Sequence, residues 1–384
     1  MTVHALRGGF SQFFDADPER LHVAAHSHHP WPDVTHAAQL DAWRDATRLA
    51  DRKWAHIFDA VLPATQGWIA QRLALPDPAS IAVAPNTHEL VTRIMSCLDP
   101  PVRILTTAGE FTSFERQVRR LAEDGLVTVR RVPVHPTDSL TARLTAEAAT
   151  GGYDLLFVSH VLYGTGLVVD VAAIIAAVPD HRPYVVVDGY HGFMAVPTDF
   201  GAVADRAFYV AGGYKYAMAG EGVCFAHCPP GYGPRPRDTG WFADFSSLAD
   251  AATRVSYGPA GQRFMGATFD VTPLYRFNAV QAWLDDAGVA IDDIHEHVRG
   301  LQRRFLVALA ERRPTLLGTR TPVVGPSTAG RHGHLLAFEV PQAADVTAAL
   351  ARRSVVVDHR GSLVRFGFGV YHDPDDVDRL IDRL

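Results

Sequence analysis

Seven short apolar runs rich in β-branched residues recur along the chain, and this most constrains the fold. They are SIAVAP (80–85), RILTTAG (103–109), LVTVRRVPV (126–134), DLLFVSHV (154–161), YVVVDGY (184–190), AFYVAGG (207–213) and GVCFAHC (222–228). Several are apolar at successive positions rather than at alternate ones, as expected for strands covered on both faces. Between them HELVTRIMSCL, SFERQVRRLAEDG and DVAAIIAAVPD carry apolar residues at helical spacing. That alternation predicts an α/β fold with a mostly parallel seven-stranded sheet and flanking helices.

The pattern changes after about residue 270. A long helical stretch covers RFNAVQAWLDDAG and IDDIHEHVRGLQRRFLVALAERR. HLLAFEV, the short helix DVTAALARR, SVVVDHR, LVRFGFGVY and a terminal helix DPDDVDRLIDRL follow. This predicts a small α+β C-terminal lobe. The expected division is a large domain over 20–265 and a small domain over 1–19 and 270–384. PPGYGPRPRDTG (229–240) is the most loop-like segment, and loops of this size often line sites.

Composition removes several functional classes. The net charge of −6 provides no electrostatic footprint for nucleic acid or an anionic membrane. No stretch approaches the roughly 20 apolar residues of a membrane span. Three cysteines in 384 residues make no disulfide framework, and no second Cys/His pair stands at zinc-finger spacing beside Cys224 and Cys228, so no metal site is expected. MTVHALRGGFSQFF lacks the apolar core of a signal peptide. A reduced, cytoplasmic setting is the expectation. Lys53 and Lys215 are the only lysines, so chemistry needing a primary side-chain amine has two candidates.

Ligands in open α/β sheets bind at the carboxyl ends of the strands, and three strand ends here carry suggestive groups. In VVVDGYHG, Asp188 ends an apolar strand and His191 follows three residues later. A buried carboxylate needs a partner; a protonated pyridine nitrogen would serve, and a helix N-cap or turn role also fits. In VAGGYKYAMAGEG, Lys215 follows a strand and a Gly-Gly turn, where desolvation would make it a nucleophile toward an aldehyde; a solvated surface lysine is the alternative. In VAPNTHEL, Asn86 and Thr87 precede a helix starting near His88. That suits a phosphate or simple N-capping by Thr87.

Taken together, phosphate turn, strand-end Asp and lysine resemble the fold-type I, class V pyridoxal-phosphate (PLP) enzymes, and the kynureninase family most closely. The resemblance runs from about residue 20 to the C-terminus. VVVDGYHGFMAVPTDFGAVADRAFYVAGGYKYAMAGEG follows the kynureninase pattern of Asp-x-x-His, Ala-Val-Pro-x-Asp, Tyr-Lys-Tyr and a Gly-rich turn. GWFADF (240–245) resembles its Gly-Trp-aromatic loop, and VVVDHRGSLVRFGFGVY its Asp-x-Arg and Arg-Phe-Gly-Phe.

The resemblance implies PLP held as a Schiff base on Lys215, which would also act as general acid/base. Asp188 would pair with the pyridine nitrogen, with His191 beside it. Asn86, Thr87 and Tyr214 would hold the phosphate. Phe111 would stack on the ring, and Tyr163 would lie near the ring oxygen. Thr268 would reach the phosphate of a neighbouring subunit and Trp241 would come from the dimer interface, implying a homodimer with shared sites. Arg365 would clamp a substrate α-carboxylate as a bidentate fork, with Arg360 as its neighbour.

The chain also departs from the kynureninase pattern. Ala243-Asp244 stand where that family has a histidine, and Thr268-Phe269-Asp270 replace its Asn-Pro-Pro. LHVAAHSHHPWPD places His22, His26, His28 and His29 in a segment that lines the family's substrate pocket; His26 and His28 are the substrate-side candidates. The reading is an enzyme acting on an amino acid through a Cα carbanion, with kynureninase-like side-chain cleavage. A class V aminotransferase is the alternative. A cysteine desulfurase is disfavoured because the stretch leading into Arg365, VVVDHRGSLVR, holds no cysteine, and an epimerase or a non-catalytic binding module ranks lower.

Overall fold

The computed structural model describes residues 3–179, 182–245, 254–324 and 332–384. Asp180, and residues 246–253 of the loop-rich 229–270 region, lie outside the described residues.

After β1 (Leu21–His22), the main sheet comprises β2 (Ile81–Ala84), β3 (Val102–Thr107), β4 (Val127–Val132), β5 (Leu155–Ser159), β6 (Tyr184–Asp188), β7 (Phe208–Gly212) and β8 (Cys224–His227). Each lies within one of the seven apolar runs except β3, which begins one residue before its run, at Val102. The order across the sheet is β2-β8-β7-β6-β5-β3-β4. Neighbours from β4 to β7 are parallel, and β8 runs antiparallel to both β7 and β2. β2, β5, β7 and β8 are buried at every position, so their sequences need no polar face. Edge strand β4 instead exposes Thr128 and Arg130.

This topology brings the carboxyl ends of β2, β3, β5, β6 and β7 to one edge, with the start of β8 among them. The register aligns Ser159 with Asp188 and Asp188 with Val210.

The C-terminal lobe contains β9 (Leu335–Glu339), β10 (Val355–Val356), β11 (Asp358–Arg360) and β12 (Leu363–Gly367). β11, β12 and β9 form an antiparallel sheet, and helices Ile291–Arg312 and Pro374–Arg383 pack against each other. The long helical stretch breaks after Thr272–Asp286, where Gly288 takes φ +63°, a conformation glycine adopts without a Cβ clash.

The two buried clusters cross the boundaries expected from sequence. Leu21 and Val23 belong to the small-lobe core, because β1 adds in parallel to β10. Val3, Leu6 and Phe10, and Leu274, Phe277 and Val280 of helix Thr272–Asp286, belong to the large core. That helix packs along Val34–Leu49. Contacts hundreds of residues apart decide these assignments, and local composition does not encode them.

Histidines join the N-terminal segment to the small lobe. His22 Nδ1 lies 2.7 Å from the Tyr371 hydroxyl, His372 Nε2 lies 2.7 Å from the His22 carbonyl, and the His29 ring packs edge-on to Tyr371 at 4.9 Å. Burial pushes all three imidazoles down to about 3. An unfolded histidine titrates near 6.5, so the unfolded chain binds more protons than the folded one below that pH. The stability these groups contribute is full above about pH 6.5 and is lost as pH falls toward 3. Resistance to urea should therefore fall markedly from about pH 7 to about pH 5. A flat profile over that interval would contradict this account.

Candidate active site

A cavity of about 490 Å³ opens at the carboxyl edge of the main sheet. It collects Asn86, Thr87, Phe111, Tyr163, Asp188, His191, Tyr214 and Lys215, eight residues singled out above. Arg365 and His26 do not line it: the His26 carbonyl accepts from Lys215, and Arg365 donates to the carbonyl of the lining Tyr163. Trp241 and Thr268 do not line the cavity. They pair with each other, Trp241 Nε1 donating to Thr268 Oγ1 at 3.1 Å, and the indole is 43% exposed.

The phosphate-turn candidate forms the N-terminus of helix Thr87–Met95. Asn86, not Thr87, is the N-cap: its extended backbone lets Oδ1 accept from the Glu89 amide at 2.9 Å. Thr87 is the first helical residue, and its hydroxyl is not needed for the cap. Phe111 sits just before helix Thr112–Glu123 and meets Tyr163 edge-on at 5.4 Å.

Asp188 ends β6. Its Oδ1 accepts from the Tyr190 amide at 3.0 Å. Burial pushes the carboxyl up to about 6, opposed by that hydrogen bond and by Lys215. His191 lies buried against the cavity, with no partner for Nδ1. Burial, then Lys215, His26 and Arg365, keep its imidazole well below the usual range.

Lys215 is 6% exposed. Its Nζ donates to the His26 carbonyl at 3.1 Å and stands 5.1 and 5.5 Å from the Tyr214 and Tyr190 ring centres. Burial, helped by Arg365, pushes the amine down to about 7, while Asp188 and Asp358 oppose the shift. A neutral amine in such a setting is a competent nucleophile and base. Lys53 lies over the Trp54 ring and does not line the cavity.

The histidine segment does not converge on one point. His26 is fully buried and places Nε2 2.8 Å from Asp358 Oδ1. His28 is exposed, stacks on Tyr214 at 5.2 Å and lies 3.7 Å from Glu221. His22 and His29 serve the lobe contact above. Among the described residues no group of three or more His, Cys, Asp or Glu side chains is arranged to hold a metal ion. No helix among them is long and apolar enough to cross a membrane.

Two important side chains, Glu110 and Arg276, carry no motif in the sequence, and a third, Asp358, appears there only as the first residue of the Asp-x-Arg pattern. Glu110 is buried beside Asp188 and accepts from Thr107 Oγ1 at 2.6 Å and Ser159 Oγ at 2.6 Å. Burial pushes it up to about 7 against those hydrogen bonds. It adjoins Phe111 in a turn after a strand, which was the only signal for it. Arg276 pins the Gly-rich turn after Lys215, donating to the Ala219 carbonyl at 2.8 Å and the Glu221 carbonyl at 2.7 Å. Asp358 holds Arg365: Nε donates to Oδ1 at 2.9 Å, and Nη2 pairs with Oδ2. The remaining arm of Arg365 donates to the Tyr163 carbonyl at 2.5 Å. Arg360 is half-exposed and 3.8 Å from Asp358.

A profile of the class-V aminotransferases matches residues 70–380. The chain belongs to the class-V aminotransferase family. Isopenicillin N epimerase of Streptomyces clavuligerus is 27% identical over 341 residues, covering 82% of this chain and 81% of that protein. A kynureninase of Burkholderia mallei is 29% identical over 222 residues, covering 55% of this chain and 50% of that protein. The fold matches the cystine C-S lyase C-DES, seen with its product cysteine persulfide, at TM-score 0.81, 18% identity and coverage of 96% and 98% of the two chains. It also matches a cysteine desulfurase of Thermococcus onnurineus at TM-score 0.79 and 18% identity, with coverage of 98% and 96%.

The chain therefore has the class V fold-type I architecture of PLP-dependent enzymes, and pyridoxal phosphate is its cofactor. The cavity fits that group. It offers a buried amine on Lys215, a buried carboxyl on Asp188 and an unpartnered ring nitrogen on His191. It also offers a helix N-terminus at Asn86 and Thr87. Of these, the buried, unpartnered His191 Nδ1 is the costly one without a bound polar partner.

Proposed function

We propose that this PLP-dependent enzyme acts on an α-amino acid by removing the Cα proton with Lys215. The observation that carries this reading is the meeting of the buried Lys215 amine and the Asp188 carboxyl in one cavity, with Arg365 held just outside it on the carbonyl of the lining Tyr163. The bound cofactor supplies an electron-withdrawing pyridine ring that stabilises negative charge at Cα. With the cofactor bound, Asp188 would keep the ring nitrogen protonated, Asn86, Thr87 and Tyr214 would hold the phosphate, and His191 and Tyr163 would stand toward the ring oxygen. Phe111 would cover the ring face. Lys215 anchors the cofactor, then takes and returns the proton. Arg365 orients the substrate by its α-carboxylate, with Arg360 and the exposed His28 at the substrate side.

Side-chain cleavage of the kynureninase kind is the leading outcome after proton removal. The Asp-x-x-His, Tyr-Lys-Tyr and C-terminal arginine pattern supports it. Epimerisation is the second reading, favoured because the match to the isopenicillin N epimerase spans 82% of this chain against 55% for the kynureninase. Desulfuration is disfavoured: the cavity-lining thiol, Cys224, is pushed up to about 12 by burial, and only a thiolate attacks readily.

The test is incubation of the holoenzyme with L-amino acids in D2O. The reading expects Cα–H exchange, with released small acids for cleavage or the D-isomer for epimerisation. Pyridoxamine phosphate would instead mark the aminotransferase. No exchange with any amino acid would overturn the reading.

Two further results are expected. Arg365→Lys loses the planar fork and should raise KM for α-amino acids about tenfold or more; an unchanged KM would remove Arg365 from substrate binding. Shared sites in a homodimer, with Trp241 and Thr268 serving the partner, require that dissociated subunits lose activity. A fully active monomer in sedimentation would refute sharing.

A further inference from the structure

We propose that Asp358 is a positioning residue that fixes Arg365 as the carboxylate clamp and, through His26, the placement of the Lys215 amine. The inference rests on the proposed role of Arg365 and extends it to a residue with no role so far.

Asp358 and Arg365 are directly opposed across the β11–β12 hairpin. Their pairing takes both carboxylate oxygens and two of the guanidinium nitrogens, a geometry that holds the fork in one plane. The same Asp358 Oδ1 lies 2.8 Å from His26 Nε2. His26 Nδ1 has no partner, so the ring proton sits on Nε2 and is donated to Asp358. The ring is wedged against β12: a Cβ at Gly367 would stand 2.2 Å from His26 Nδ1. The main-chain carbonyl of His26 accepts from Lys215 Nζ at 3.1 Å. One carboxylate thus orders the arginine on one side and the segment that holds the lysine on the other.

The charges around Lys215 give this a measurable consequence. Arg365 and Arg360 disfavour a positive charge there, and Asp188 and Asp358 favour it. Tyr190 and Tyr214 flank the amine, while His26 and His191 adjoin it. Removing the Asp358 charge leaves Arg365 uncompensated.

The experiment uses holoenzyme, reading the pH midpoint of the visible cofactor band and the perturbation of that band by L-alanine and by ethylamine. Asp358→Asn is expected to lower the midpoint by about one unit and to weaken L-alanine about tenfold, with ethylamine unchanged. Asp358→Glu should recover most of both effects, which a merely structural lesion would not allow. A wild-type midpoint together with a wild-type alanine-to-ethylamine ratio in Asp358→Asn overturns the proposal. If that variant does not fold, His26→Ala leaves the Asp358–Arg365 pair intact; it should shift the midpoint while holding alanine affinity within about twofold. An unshifted midpoint there overturns the coupling to Lys215. A wild-type enzyme that does not prefer alanine to ethylamine sinks the carboxylate reading of Arg365 and the clamp half of this proposal. The midpoint shift tests the lysine half independently.

Discussion

Lys215→Ala protein should fold normally, hold no covalently attached cofactor and turn over at least about 10⁴-fold more slowly than wild type. The size of the effect follows from the chemistry of one side chain serving two purposes. Lys215 is the only lysine lining the cavity, and in the proposed mechanism it both anchors the cofactor and moves the Cα proton. Lys53, over Trp54 and outside the cavity, offers no substitute. The fold should survive because the amine contributes little to it. Its amine donates to the His26 carbonyl, and burial already disfavours its charge. Circular dichroism and thermal unfolding would check the fold, and absorption together with D2O exchange would check the chemistry. A variant that retains the visible band, or that exchanges Cα–H at the wild-type rate, would remove Lys215 from its assigned role.

Asp188→Asn should be the next most damaging change, slowing Cα–H exchange by about 10²–10³-fold while cofactor still binds. An amide can still accept a hydrogen bond but cannot hold a protonated pyridine nitrogen by charge. The ring then withdraws electrons less strongly, and the Cα proton is less acidic. The substitution has a second effect of known sign. Asp188 is one of two carboxylates that favour the protonated Lys215, so its loss should also lower the pH at which the lysine titrates. Exchange rates across pH would separate the two effects, since a shifted profile alone leaves the plateau rate intact. A wild-type plateau would contradict the pairing of Asp188 with the ring nitrogen.

Much of this architecture was legible in the chain because the main sheet is covered on both faces. Strands such as Leu155–Ser159 and Phe208–Gly212 are buried at every position, so each appears as an uninterrupted apolar run ending where ligands bind. Lys215, Asp188, His191 and Asn86 stand out as candidates for that reason. Residues defined by distant contacts do not. His26 and Asp358 are 332 residues apart in sequence yet 2.8 Å apart in space, and nothing local marks either as the other's partner. The same holds for Arg276, which reaches back 57 residues to the Ala219 carbonyl. Leu21 and Val23 read as the start of the large domain, but parallel pairing of β1 with β10 places them in the small-lobe core. The four histidines near residue 26 looked like one cluster in sequence. The backbone turns between them and sends their rings to different neighbours, with His26 on Asp358, His28 on Tyr214 and His29 on Tyr371.

The central claim is that Lys215 carries the cofactor, and borohydride reduction of the holoenzyme followed by peptide mapping tests it most directly. The account predicts that reduction bleaches the visible band and leaves a pyridoxyl group on the peptide containing Tyr214-Lys215-Tyr216. A label on the Lys53 peptide, or a protein that takes up no pyridoxal phosphate at all, would contradict it.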